Sequence, residues 1–98
     1  MKRIFKYQLQ INDLQNLNLP VGAKILSVQA QRGIPCLWAL VDDSEKEYSD
    51  VKVSIYGTGH PISENELKNK MFAGTVQIGE LVLHVFLQCG NNIQYLIA

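Results

Sequence analysis

Apolar and polar residues alternate with a period of two along most of this chain, the pattern of β-strands that bury one face. Phe5, Tyr7, Leu9 and Ile11 alternate with Lys6, Gln8 and Gln10, which predicts a first strand ended by Asn12-Asp13. Leu17 and Leu19 alternate with Asn16 and Asn18 before Pro20 and Gly22, predicting a short edge strand. From Lys24 to Arg32, Leu26, Val28 and Ala30 fall on one side and Ser27, Gln29 and Gln31 on the other. Gly33-Ile34-Pro35 is the expected turn into Cys36-Leu37-Trp38-Ala39-Leu40-Val41. That near-continuous apolar run is typical of a strand covered on both faces, and the two segments form a predicted hairpin.

After the polar turn Asp42 to Lys46, Val51, Val53 and Ile55 alternate with Lys52, Ser54 and Tyr56 and deliver the chain to Gly57-Thr58-Gly59-His60-Pro61-Ile62. Ser63 and Glu66 have the spacing of a capping box, enough for one helical turn, without the apolar periodicity of a longer helix. Phe72 to Ile78 and Leu81 to Gln88 predict a second hairpin around Gly79-Glu80. Its second strand is apolar on both faces and so belongs in the middle of a sheet. Ile93, Tyr95 and Ile97, within 90–98, suit an edge strand or an arm onto a neighbouring subunit. Six to eight short strands with frequent turns define an all-β fold, a small antiparallel sandwich or partly open barrel. The sandwich is the expectation, as a single domain over residues 1–98, which is enough chain for one core.

Composition narrows the partners. Nine basic and nine acidic residues cancel, whereas duplex nucleic-acid binders carry a net basic footprint, so no duplex partner is expected. A small nucleotide needs only one or two cations. No apolar stretch approaches a membrane-spanning length, and Met1-Lys2-Arg3-Ile4-Phe5-Lys6 lacks the apolar run of a signal peptide, so no membrane is expected and the location expected is the cytoplasm. Cys36 and Cys89 have no CxxC or metal-ligand spacing and suit small buried hydrophobes.

The candidate chemistry centres on the glycine loop. Small residues at Gly57, Thr58 and Gly59 admit a ligand close to the backbone, and their amides could cradle an anion if the loop curls into a nest. A rigid turn fixed by His60 and Pro61 explains the same residues. Tyr56, beside the loop, and Trp38 are the aromatic faces on which a base could stack, although an apolar strand suits Trp38 to the core as well. Arg32, at a hairpin tip, and Lys24 could neutralise phosphate, or be ordinary solvated charges. His84 on an apolar strand fits a satisfied core residue better than a base. The chain has no HxxxH, GxSxG, Walker or paired-carboxylate pattern, and its bare GxG lacks the third glycine and helix of a dinucleotide fingerprint. Catalysis is therefore the weaker class, with no catalytic residue, cofactor or metal expected.

Gly22-Ala23-Lys24-Ile25-Leu26-Ser27-Val28-Gln29, Gly33 to Asp42, Gly57 to Ile62 and His84-Val85-Phe86 together resemble a family of small bacteriophage and prophage proteins of unknown function. The resemblance runs from about Ile4 to Phe86 and implies a phage context, with action in the cytoplasm of an infected host. Small neutral phage domains of this kind include inhibitors of host defence, among them sponges for the cyclic nucleotide signals of CBASS and Thoeris immunity. That context implies a non-catalytic anti-defence protein, an expected homo-oligomer, in which Gly57, Thr58, Gly59 and His60 hold phosphate, Tyr56 or Trp38 stacks a base, and Arg32 or Lys24 neutralises charge. The alternative is an interaction module that docks on a host or virion protein through a sheet edge. A third is a nucleotide hydrolase using His60 and His84.

Overall fold

In the computed structural model, which describes residues Met1–Leu96, the alternation closes into two four-stranded sheets. The strands are β1 (Lys2–Gln8), β2 (Gln15–Pro20), β3 (Lys24–Gln31), β4 (Ile34–Asp42), β5 (Tyr48–Gly57), β6 (Met71–Ile78), β7 (Leu81–Cys89) and β8 (Gln94–Tyr95). One helical turn, α1 (Glu64–Leu67), separates β5 from β6. Sheet A has the order β1-β4-β3-β8 and sheet B the order β2-β5-β7-β6. All pairs are antiparallel except β3 with β8. The result is the expected all-β, sandwich-like fold, with Ile25, Leu37, Ala39 and Val41 of sheet A facing Val53, Ile55, Val85 and Leu87 of sheet B in the core. Among the described residues no helix is long and apolar enough to cross a membrane.

Several expected features are in place. β2 is the edge of sheet B, β7 lies in its middle, and Ser63 caps α1, its hydroxyl accepting from the Glu66 amide at 3.3 Å. Gln94–Tyr95 takes the edge-strand option for the C-terminal segment, beside β3; Ile97 and Ala98 of the proposed arm lie outside the described residues.

Other expectations are corrected. The first strand runs over Lys2–Gln8, and of its predicted buried face only Leu9 is fully buried, because β1 is the outermost strand of sheet A. The β3–β4 turn is Arg32-Gly33, both with positive φ (52° and 77°), while Ile34 and Pro35 already belong to β4. Two consecutive left-handed residues are the signature of a type I′ hairpin, whose twist matches the strands it joins. A bulge between Ile25 and Ser27 shifts the register of β3. Ile25 and Val28 therefore point into the core, and Leu26 is not a core residue as the alternation predicted.

One connection determines how the site is built. β5 and β6 each run antiparallel to β7 and hence parallel to one another, so residues 58–70 must carry the chain back along the length of the sheet. They do so over the outer face of sheet B. His60 and Lys70, near the two ends of this crossover, both reach Tyr56. Ser54 and Tyr56 project from that outer face and are nevertheless closed off from solvent. Among the described residues the Ser54 hydroxyl has no hydrogen-bond partner, and a buried unpaired hydroxyl is a net cost. Ser54→Ala is therefore expected to raise stability by about 1 kcal/mol, read as a higher urea midpoint at unchanged slope. A loss of stability would show instead that the hydroxyl is bonded.

Candidate functional site

The residues singled out from the sequence fall into two groups on different sheets. Tyr56, Gly57, Thr58, Gly59 and His60 lie at the end of β5 in sheet B, whereas Lys24, Arg32 and Trp38 belong to sheet A. Within sheet A, Lys24 opens β3 and Arg32 follows its last residue, so they stand roughly 26 Å apart at the ends of one strand. The hairpin tip at Arg32 and the glycine loop share one end of the sandwich, where the β1–β2 connection ties both sheets through Leu9 N–H to Pro35 O (2.9 Å) and Ile55 N–H to Asn12 O (3.1 Å).

The glycine loop is a tight turn with its polar groups already engaged. His60 N–H donates to Gly57 O at 3.0 Å and Gly59 takes a φ of +86°, the geometry of a type II turn that requires glycine at its third position. Thr58 N–H donates to Val82 O at 3.1 Å. The Thr58 hydroxyl lies 2.7 Å from His84 Nε2, and the Thr75 hydroxyl lies 3.0 Å from His84 Nδ1. Both nitrogens of His84 are thus occupied, and the ring ties the loop to β7 and β6 as a satisfied structural histidine. The expected phosphate cradle is corrected: two loop amides and the Thr58 hydroxyl are spent on the protein itself.

Tyr56 is corrected as a stacking platform. It is 1% exposed and is the largest fully buried side chain. Its ring packs 5.7 Å from His60 and 5.9 Å edge-on to Phe86, and its hydroxyl accepts from Lys70 Nζ at 3.2 Å. Tyr56 therefore pins the crossover and offers no face to a ligand.

Trp38 is different. In an antiparallel sheet directly opposed residues share a face, so the register places Lys2, Ile4 and Lys6 of β1, Trp38, Leu40 and Asp42 of β4, and Lys24, Ser27 and Gln29 of β3 together on the outer side of sheet A. Here, unlike on sheet B, no described segment crosses over the strands. Trp38 and Leu40 are half-buried and Ile4 is 61% exposed. Ile4, Leu26, Ser27, Gln29 and Trp38 line an open, mainly apolar depression of about 340 Å³. Lys6 stands directly across from Trp38, with about 5 Å between Cβ atoms expected for such a pair, and Lys24 is its diagonal neighbour at about 7–8 Å. Lys6 Nζ donates to Gln31 Oε1 at 2.7 Å. The single acidic side chain on this face among the described residues, Asp42, accepts from the Ser44 hydroxyl at 2.6 Å and from the Met1 ammonium at 3.2 Å. Those bonds hold its carboxyl well below the usual carboxylate range. A neutral chain thus presents a locally basic, aromatic surface.

Ile4, Lys6, Leu26, Ser27 and Gln29 were not singled out from the sequence. The Lys2-x-Ile4-x-Lys6 alternation was the available signal for the first two, the alternation already set Ser27 and Gln29 on the polar side of β3, and the bulge hid Leu26. A second depression, of about 220 Å³, lies at the far end of sheet B and is lined by Asp50, Lys52, Gln88, Cys89 and Gly90. Both cysteines are free; Cys36 is buried and burial pushes the Cys89 thiol up. Among the described residues no group of three or more His, Cys, Asp or Glu is placed to hold a metal ion.

Fold and surface together define a small two-sheet β-sandwich with one sheet face covered by its own crossover and the other open. The match of residues 1–94 to the model of a domain of unknown function, DUF7352, places the chain in that family. No curated protein and no solved structure matches it.

Proposed function

We propose that the domain is a non-catalytic binding module that captures a nucleotide-type anion on the outer face of sheet A. The observation that carries this is the half-exposed Trp38 in an open depression, with Lys6 and Lys24 beside it. An aromatic platform with flanking cations suits a base joined to phosphate, because stacking and charge neutralisation act on the two parts of one ligand. The Ser27 hydroxyl and the Gln29 amide supply donors and acceptors for a base edge. Of the residues expected from the sequence, Trp38 and Lys24 keep their roles, Arg32 stays a peripheral cation, and Gly57 to His60 act as scaffold. The resemblance to phage proteins supports sequestration of a cyclic nucleotide immune signal in the infected cell as the biological setting. A homo-oligomer apposing two such faces would enclose the second side of the base.

The test is calorimetry with cyclic di- and trinucleotides and ADP-ribose-type signals, followed by heat denaturation and chromatography of the released ligand. The expected result is saturable binding and recovery of intact ligand. Trp38→Ala is expected to weaken binding by roughly 5- to 150-fold, the range for loss of one base stack, with Trp38→Phe restoring part of it and His60→Ala leaving it unchanged. A cleaved product would establish an enzyme, and binding that depends on His60 instead of Trp38 would return the site to the glycine loop.

A further inference from the structure

Among the described residues the two sheets have four edges, β1 and β8 in sheet A and β2 and β6 in sheet B. Three of them are blunted in ways that suppress pairing with another chain. β8 is two residues long, and β2 ends in Pro20, which has no N–H to offer. β6 has a register shift between Phe72 and Gly74 and lies against β3, where a side chain on Gly74 would meet the Val28 carbonyl at 3.7 Å. β1 is not short, broken or proline-bearing, and its one guard is charge, in Lys2, Arg3 and Lys6. Its register with β4 is unbroken from Lys2 to Gln8 and it contains neither Pro nor Gly. It also leaves apolar surface open on both faces, with Ile4 61% exposed on the outer side and Phe5 39% exposed on the inner.

The charges on β1 define what can pair with it. Arg3 is held by Asp43 through its Nε. Lys2 and Lys6, the latter bonded only to the neutral Gln31 amide among the described residues, lie on the outer face on either side of Ile4. A second copy of β1 would bring its own cations to the same seam, which opposes self-pairing. An acidic strand is complementary. We infer that β1 accepts a fifth strand for sheet A from a partner protein. That strand is an extended segment with two acidic residues four positions apart, opposite Lys2 and Lys6, and apolar residues between them covering Ile4 and Phe5. Backbone hydrogen bonds along the edge supply the affinity and the charges set the choice of partner. This surface shares Ile4 and Lys6 with the Trp38 platform, but pairing along the edge needs no nucleotide.

The experiment uses the isotope-labelled full chain and two probes, acetyl-Ser-Glu-Val-Leu-Val-Glu-Ser-amide and its counterpart with Lys in place of Glu, followed by amide NMR. The acidic peptide is expected to shift the β1 amides and give cross-strand contacts to them, with the basic peptide at least tenfold weaker. Lys6→Glu, an exposed change outside the core, is expected to reduce or reverse that preference while the remaining spectrum stays folded. The inference is overturned if neither peptide moves β1, if both do so equally, or if the perturbation maps elsewhere. Concentration-dependent protection of β1 without peptide would also overturn it, because the partner would then be a second copy. With no nucleotide present, any of these failures leaves the Trp38 proposal standing.

Discussion

Replacing Tyr56 by Ala is expected to destabilise the domain by about 3–5 kcal/mol, the usual cost of deleting a fully buried aromatic ring. Total stabilities are only about 5–15 kcal/mol, so this single change would leave a large unfolded fraction on a weak background. Tyr56 carries this much because it serves two layers. It belongs to β5, and its ring is also the surface on which the crossover closes, through His60, Phe86 and Lys70. Tyr56→Phe keeps the ring and loses only the bond from Lys70, so about 1 kcal/mol is expected. Urea unfolding of both variants separates packing from hydrogen bonding. An alanine variant within about 1 kcal/mol of the wild type would mean that the crossover does not pack on Tyr56.

Gly90→Ala is the second large effect. A Cβ at Gly90 would lie 2.6 Å from the Ser49 hydroxyl and 2.7 Å from the Asp50 carbonyl. The Ser49 side chain can rotate away, but the Asp50 carbonyl cannot, because it also accepts the Gly90 N–H at 2.7 Å. Relief requires β5 and the end of β7 to separate, for which about 2–3 kcal/mol is expected, the scale of overpacking in a rigid interior. Gly57→Ala is the control. Nothing lies within 4 Å of its Cβ position, so a change within about 0.5 kcal/mol is expected, and equal costs at the two positions would contradict the close approach at Gly90. The measurement is again the urea midpoint.

The strands were legible in the sequence wherever both neighbours of a residue obeyed the same period. Val51, Val53 and Ile55 alternate as read and are buried as read. The central position of β7 followed from its two apolar faces. The limits came from features that a period of two does not carry. A one-residue bulge reverses the facing of everything beyond it, which turned Ile25 inward and left Leu26 on the open face beside Ser27. Arg32 in the left-handed region is uncommon for a residue with a β-carbon, so the turn was started one residue late and carried two residues into β4. Tyr56 occupies a polar-face position by pattern and is buried by a segment whose path depends on β5 and β6 being parallel, a fact of topology and not of local sequence.

The candidate site was legible by residue type and not by assembly. The glycine loop attracted attention because glycine, threonine and histidine are what an anion site uses, but the Thr58 and His60 amides donate to Val82 and Gly57 and the Thr58 hydroxyl is paired with His84. The apolar run Cys36 to Val41 was read as covered on both sides; the structure covers one. An apolar face without cover is itself informative, since burial by a ligand or partner is how such a surface is reconciled with water. Net charge of zero likewise hid an uneven distribution, in which Lys2, Lys6 and Lys24 share a face with a single, already bonded acid.

Trp38 is the single tryptophan of the chain, so its emission reports on the proposed platform without interference from another indole. Titration of the wild-type protein with cyclic dinucleotides, cyclic trinucleotides and ADP-ribose-type signals, followed by tryptophan fluorescence, tests the account most directly. Saturable quenching by one of these ligands, with a midpoint that agrees with calorimetry, is the expected result. Calorimetric binding with no change in Trp38 emission, or no response to any of the ligands, would contradict it.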